Sequence, residues 1–320
     1  MRINHLNHCT LTERAGCRLF PCKKEGSSVF CGDIHCMTSR LTLTVLVDNT
    51  TLTDNDTLMG EPGLSFFIQT GGKKILFDTG LSGLFLANAE KTGTGLSDLD
   101  CLVLSHGHND HTGGLPFLAR HLAAQGQDAP ASRVPEIIAH PRCFWQKESD
   151  GRKNGSILSE EEVRKVFPLR LSAEPAWITD DLVFLGEIPR RFPFEVTGPG
   201  KRSVHLPDGT TEPDHLPDDS ALAFRSDDGL VIVTGCSHAG ICNITEYARE
   251  VCDERHVRDI IGGLHLLTPE PKRLEKTGKY LNRLHLSALH ACHCTALSAK
   301  LALAGYCPMQ EAGVGMKCTW

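Results

Sequence analysis

Leu102-Val-Leu-Ser-His106-Gly-His108-Asn-Asp110-His111-Thr-Gly-Gly114 sets four metal-competent side chains within six residues. Leu102-Val-Leu104 has the character of a short buried strand. Just beyond the run, Leu115, Leu118, Ala119 and Leu122 recur at the spacing of one helix face. His106 and His108 stand two apart, so in extended backbone both project to the same side. Asp110 and His111 come where the chain turns into the helix and can face back. One ion can take the first pair and a neighbouring ion the second. Imidazole and carboxylate without thiolate suit zinc, with manganese, iron or magnesium as rivals.

Outward from this run, Leu41 to Val47 alternates Leu and Val with Thr and predicts a strand. Leu64 to Gln69 and Lys74 to Phe77 predict a hairpin around Gly71-Gly72. Ser82 to Ala89 has helical spacing. Residues 145 to 165 and Gly198 to Asp219 are polar and turn-rich and are expected to be exposed loops. The second half resumes with strands at Ala221 to Arg225 and Leu230 to Thr234 and a helix from about Asn243 to Glu254. Then follow a strand at Asp259 to Ile261, a helix from about Lys272 to Leu284, a strand at Leu286 to Ala291, a helix from about Ser298 to Leu303 and a terminal strand. Mixed strands first, then strand–helix units in each half, predict an α/β sandwich of two similar halves.

The His-x-His-x-Asp-His run after a buried strand resembles the signature of the metallo-β-lactamase superfamily. Leu76-Phe-Asp78-Thr-Gly80 resembles its first motif, in which the Asp supports the ligands from behind. The resemblance covers about Leu41 to the C-terminus. It implies the four-layer αβ/βα sandwich, with metals at the strand ends between the halves.

A narrower set of motifs comes in order. It comprises Val47-Asp-Asn49, Glu61-Pro-Gly-Leu-Ser65, Gly186-Glu-Ile188 with Glu195, Asp218-Asp219, Thr234-Gly-Cys-Ser-His238-Ala-Gly-Ile241, Ile261-Gly-Gly-Leu-His265-Leu and His293-Cys-Thr295. Together they resemble the 7,8-dihydropterin-6-ylmethyl-4-(β-D-ribofuranosyl)aminobenzene-5'-phosphate synthases, which join a pterin methyl diphosphate to an aryl ribose phosphate. Pro62 stands where that family has His, and Ala296 where it has Gly.

A two-metal site of this kind needs ligands from the second half. His238, His265 and His293 each lie just past an apolar strand-like run, which in a parallel sheet brings them to one edge. His238 is the firmest. His293 is favoured over His265 as the last ligand, the other then contacting substrate. Cys236 could bind metal and Cys292 and Cys294 beside His293 could form a thiolate site, but all three are expected to be buried thiols. Asp110 and His238 are the expected catalytic residues, Asp110 orienting or deprotonating the attacking water. Glu187, Arg190, Glu195 and Asp219 are the expected substrate contacts, with Arg191, Lys201 and Arg202 near enough in sequence to help clamp a phosphate. The expected activity is that of a metal-dependent hydrolase or transferase, with two zinc ions, acting on a phosphorylated small molecule; a pterin-diphosphate condensing synthase is the sharpest form. A di-iron redox protein is the first alternative, but such relatives carry Glu where this chain has His108 and add a flavin domain. Nucleic-acid processing by the same fold is the second.

The remaining numbers narrow the class. The chain has 320 residues, a net charge of −6, 14 Cys and 16 His. A mildly acidic chain has no general pull on nucleic acid or anionic membrane, so neither is an expected partner. No apolar stretch is long enough to span a membrane. There is no secretory leader with an apolar middle, which favours reduced cysteines and a cytoplasmic location. Five cysteines fall in residues 1–36, without a CxxC pair. That head is expected to be disordered or untranslated, with a start at Met37 and the domain over 37–320.

Overall fold

Strands form where the sequence alternates and helices where it repeats every three or four residues. In order, the elements of the first half are β1 (Thr42–Val47), β2 (Ser65–Thr70), β3 (Lys73–Phe77), α1 (Leu84–Lys91), β4 (Cys101–Val103), α2 (Asn109–Thr112), α3 (Leu115–Gln125), β5 (Glu136–Ala139), β6 (Gln146–Ser149), β7 (Arg152–Lys153), α4 (Glu160–Arg164) and β8 (Leu169–Leu171). There follow β9 (Ala176–Trp177), β10 (Leu182–Phe184), β11 (Arg202–His205), β12 (Thr211–Pro213), β13 (Ala221–Ser226), β14 (Gly229–Thr234), α5 (Ile241–Cys252), β15 (Val257–Gly263), α6 (Pro271–Leu284), β16 (Ala288–Cys292), α7 (Leu297–Leu303) and β17 (Lys317–Thr319). This computed structural model describes residues 40–52, 57–125, 134–196 and 198–320. They lie in one compact unit, Ser39–Trp320. The expected head at 1–36 lies outside the described residues.

Two large sheets face each other. One runs β17-β1-β2-β3-β4-β5-β8 and the other β16-β15-β14-β13-β10-β9. Alternation explains the layering. On β13, Leu222 and Phe224 point into the seam between the sheets, with Phe66, Phe77, Val103 and Val233. Ala221 and Ala223 point the other way, onto Ile241, Ile244 and Ala248 of α5 and Leu303 of α7. The outer face of the first sheet, Leu76 and Leu102, is covered by Phe85 of α1 and by Leu115, Leu118 and Leu122 of α3. Each fully buried Phe or Leu in these layers is worth roughly 1.5–3 kcal/mol. The four layers are therefore helix, sheet, sheet, helix, as the sequence predicts.

The site is positioned by the parallel parts of the two sheets. β3, β4 and β5 run parallel in one sheet, and β14, β15 and β16 in the other. The loops that follow their C-terminal ends meet across the seam, where α/β sheets place their ligands.

Both polar stretches expected to be exposed loops are instead structured. β6, β7, β11 and β12 form a third, four-stranded sheet. Lys147, Asp214, Asp218 and Asp219 within these stretches are buried. Lys147 pairs with Asp214 and Asp218 inside the protein, and polar composition alone cannot distinguish that from solvation.

On the second sheet, the Asp259 carboxylate accepts from His290 Nδ1 at 3.1 Å and from Trp320 Nε1 at 2.8 Å. Burial would lower His290, but the bond to Asp259 raises it to about 9 from 6.5. A raised imidazole stabilises fully below its unfolded value, and that contribution is lost as pH climbs through the folded one. Stability measured by denaturant melts should therefore fall between pH 6.5 and 9. His290→Asn should flatten that slope, and an identical slope in the variant would refute the coupling.

Candidate metal centre

Asp78 anchors the site. It follows β3 directly, in left-handed backbone at φ 58°, a costly conformation for a non-glycine that clusters at functional sites. Its Oδ1 accepts the Ser105 amide at 2.7 Å. Its Oδ2 accepts Ser105 Oγ and His111 Nδ1, each at 2.7 Å. One buried carboxylate thus fixes both the start and the end of the His106–His111 loop. Gly235 lies against the same point: a Cβ there would stand 2.1 Å from Ser105 Oγ, so a side chain would push the loop away.

These contacts decide where the imidazole lone pairs point. Ser105 gives its hydroxyl proton to Asp78, so it accepts from His106 Nδ1 at 2.9 Å. His111 donates through Nδ1 to Asp78. His293 donates through Nδ1 to Asn49 Oδ1 at 2.9 Å, and its amide donates to Asp48 at 2.7 Å. All three rings therefore turn Nε2 inward, the orientation a metal requires.

The inward atoms converge in two groups. His106 Nε2 lies 2.9 Å from His108 Nδ1 and 3.3 Å from His238 Nε2. His111 Nε2 lies 3.2 Å from His293 Nε2, and the Asp110 carboxylate is 3.8 Å from the first and 3.5 Å from the second. Nitrogens facing one another at this range repel unless a proton or a metal ion lies between them. Zinc–nitrogen bonds of about 2.0–2.1 Å place tetrahedral ligands roughly 3.3 Å apart, close to most of these separations. Cys236 Sγ stands between the groups, 3.3 Å from His111 Nε2 and within 4.8 Å of the His106 ligand atom.

Burial and the neighbouring imidazoles hold His106 and His238 well below their ordinary value, and burial takes His108 down to about 4. These three stay neutral and keep their lone pairs. His111 differs: burial lowers it, but Asp110 and Asp78 outweigh that and raise it to about 9. The same two carboxylates favour either a proton or a metal ion at that nitrogen. Burial would raise Asp110, yet His111 and His293 keep it ionised, well below the carboxylate range.

The structure thus brings together His106, His108, Asp110, His111, His238 and His293, with Asp78 behind them. It separates His265, whose ring packs on His238 at 4.1 Å and whose ligand atom groups with Cys236 and Cys294. Cys236 and Cys294 lie among the site's donors rather than in the apolar core, whereas Cys292 is in the seam between the sheets. The nine cysteines of the described residues are all free.

The expected substrate contacts fare unevenly. Glu187 and Arg190 line a cleft of about 520 Å³ with Ile188, His215 and Tyr247. Glu187 also lies 3.5 Å from His140. Arg190, however, spends its guanidinium on backbone carbonyls: Leu216 at 3.0 Å, His238 at 3.5 Å and His215. It braces the His238 loop. Glu195 is buried beneath α5, where its oxygens accept the Cys242 amide at 3.0 Å and the Asn243 amide at 2.9 Å. These are orphan amides of a helix N-terminus, so Glu195 caps a helix rather than facing the cleft. Asp219 is also buried. One oxygen accepts the Ala239 amide at 2.8 Å, the other has no partner, and burial raises the group to about 6. Arg191 pairs with Glu250 and Lys201 with Asp150, so neither forms the expected phosphate clamp. Arg202 turns to the Gly198 carbonyl.

Sequence reasoning assigned no role to Ser105, Asp48, Asn49 or Lys147. Val47-Asp-Asn49 was visible as a motif, but its contact with His293 spans more than 240 residues.

Comparison with known proteins finds relatives over most of the chain. The family model described as the metallo-beta-lactamase superfamily matches residues 58–249. The 7,8-dihydropterin-6-methyl-4-(beta-D-ribofuranosyl)-aminobenzene-5'-phosphate synthase of Methanocaldococcus jannaschii is 29% identical over 77% of this chain and 85% of its own. An uncharacterized protein of the same organism, MJ0448, is 28% identical over 80% and 91%. Among solved structures, Tm1679, described as a metal-dependent hydrolase of the beta-lactamase superfamily, superposes with a TM-score of 0.73 at 28% identity. That match covers 87% of this chain and 98% of Tm1679.

Proposed function

The chain belongs to the metallo-beta-lactamase superfamily, and from that premise we propose that it is a hydrolase or transferase that holds two divalent ions, zinc foremost, and acts on a phosphorylated small molecule. One observation carries the metal reading. Ser105, Asp78 and Asn49 engage the Nδ1 atoms of His106, His111 and His293, which leaves their Nε2 atoms all facing the same space. His106, His108 and His238 would hold one ion and Asp110, His111 and His293 the other, with Cys236 between them. When bound, the ions supply Lewis-acid charge for phosphate oxygens and for the leaving group.

The protein's own groups do the rest. Asp110 is the centre's partly exposed carboxylate, 30% accessible, and stays ionised. It is placed to orient the attacking group and accept its proton. Arg190 holds the His238 loop in register with the cleft wall. The cleft itself is in the size range of small-molecule pockets, so it can take the part of the substrate remote from the reacting phosphate.

The synthase relative supports a phosphorylated substrate and a transferase reading, and Tm1679 a hydrolytic one. With water as acceptor the site hydrolyses; with an aryl acceptor it would make the synthase bond and release diphosphate. A panel tests this directly. Zinc- or manganese-loaded protein is offered a pterin methyl diphosphate with and without an aryl ribose phosphate, a set of phosphodiesters and a set of lactones. Turnover of a phosphate-bearing member is expected. Turnover of lactones alone, or of nothing, would overturn the substrate class.

A further inference from the structure

Three parallel strands end side by side in the second sheet, and each delivers a soft or borderline ligand two residues later. β14 ends at Thr234 and gives Cys236, β15 ends at Gly263 and gives His265, and β16 ends at Cys292 and gives Cys294. The register pairs Thr234 with Gly262 and Gly263 with Cys292, so the three strand ends lie within one residue of one another. Their ligand atoms all lie within 4.8 Å of one another. His265 and Cys294 belong to neither triad of the imidazole–carboxylate centre.

Several features suit this cluster to a ligand. The His265 amide donates to Cys294 Sγ at 3.3 Å, the kind of bond that supports a metal-bound sulfur. His265 Nδ1 is buried without a partner. His265 is held in left-handed backbone at φ 48°, a strain that apolar packing alone does not require. Gly263 leaves room for the sulfur: a Cβ there would meet Cys294 Sγ at 2.6 Å. The two thiols are free.

We propose that Cys236, His265 and Cys294 form a separate, thiol-rich site for one soft divalent ion, zinc, beside the imidazole–carboxylate centre, with Cys236 facing both. Two sulfurs and one imidazole are a zinc donor set that leaves a fourth position open. Thiolates select soft ions, whereas imidazole and carboxylate accept a wider range, so the two sites differ in preference as well as place. Binding deprotonates both thiols and releases the protons to solvent.

The test counts metal in the full chain. Protein equilibrated with excess zinc and then desalted should hold about three ions. Cys294→Ser and, separately, His265→Ala should each lose about one of these while the other two remain. His265 is only partly buried, so its variant guards against a folding defect in the cysteine one. With Co2+ as the probe, a variant lacking His108 and Asp110 should still show thiolate-to-cobalt charge-transfer absorption in the near ultraviolet, and adding Cys294→Ser should weaken it. If wild type holds two ions, and neither Cys294→Ser nor His265→Ala changes that number, this inference fails while the proposed function stands. If the ions that remain depend only on the two thiols, the imidazole–carboxylate reading fails instead.

Discussion

Replacing His108 and Asp110 together with alanine should strip both ions of the imidazole–carboxylate centre from the chain and abolish turnover. The effect is expected to be this large because each triad loses a ligand at once. His108 faces His106 at 2.9 Å, and Asp110 supplies the carboxylate beside His111 and His293. What remains is a set of paired imidazoles without their carboxylate ligand, with Cys236 as the one thiol between them. Loss of even a supporting group typically costs 10–100-fold in metal affinity, and these are direct ligands. Metal content per chain by elemental analysis checks it, with any residual ion assigned by its dependence on Cys294. The double variant should keep its fold, since Asp78 still holds Ser105 and His111. Two ions retained per chain would refute the centre.

Much of this site could be read from the chain because its parts are local. His106 to His111 are contiguous, and the strand before them and helix after them announce themselves by pattern. The second-half histidines were visible as residues just past parallel strands, a geometric consequence of the fold. What pattern could not decide was which of His265 and His293 joins Asp110. Both follow parallel neighbours in one sheet, and the difference is an offset of one residue beyond the strand end. It is fixed by Asp48 and Asn49, which reach across from the other sheet.

The same limit hid the third sheet. Lys147 and Asp218 are 71 residues apart, and each sits in a segment whose polarity signals solvent. Arg190 and Glu195 are engaged for a related reason. Charged residues near a site in sequence look like ligands for substrate, but a helix N-terminus and exposed carbonyls nearby were already in need of them.

That buried Lys147 provides the second large effect. Its Nζ lies 3.0 Å from Asp218 and 3.7 Å from Asp214, and all three side chains are at most 2% exposed. Asp218 uses its other oxygen to accept the Gly107 amide at 2.9 Å, between the first two metal-facing histidines. The neighbouring segment grips the same loop, with the Asn109 amide donating to the Asn154 carbonyl at 2.8 Å. The ion pair therefore couples the third sheet to the metal loop. Lys147→Met keeps the aliphatic stem and leaves two carboxylates buried without their cation. Removing one partner of a buried pair costs about 3–5 kcal/mol, far more than an exposed pair, because the orphaned charge is stranded. The pH dependence follows from sign. In the native protein burial would raise Asp218, but Lys147 holds it below its ordinary 3.8, so it stabilises above that value and the contribution is lost on acidification. Without Lys147, burial raises Asp218 instead, and it relieves that burial by taking a proton. The gap between variant and wild type in urea melts should therefore be full near neutrality and shrink as pH falls toward 4. Adding Asp218→Asn to Lys147→Met should recover part of the loss at neutral pH, by removing one stranded charge. A variant within about 0.5 kcal/mol of wild type at pH 7, the range of ordinary surface substitutions, would show that Lys147 and Asp218 are not coupled as drawn.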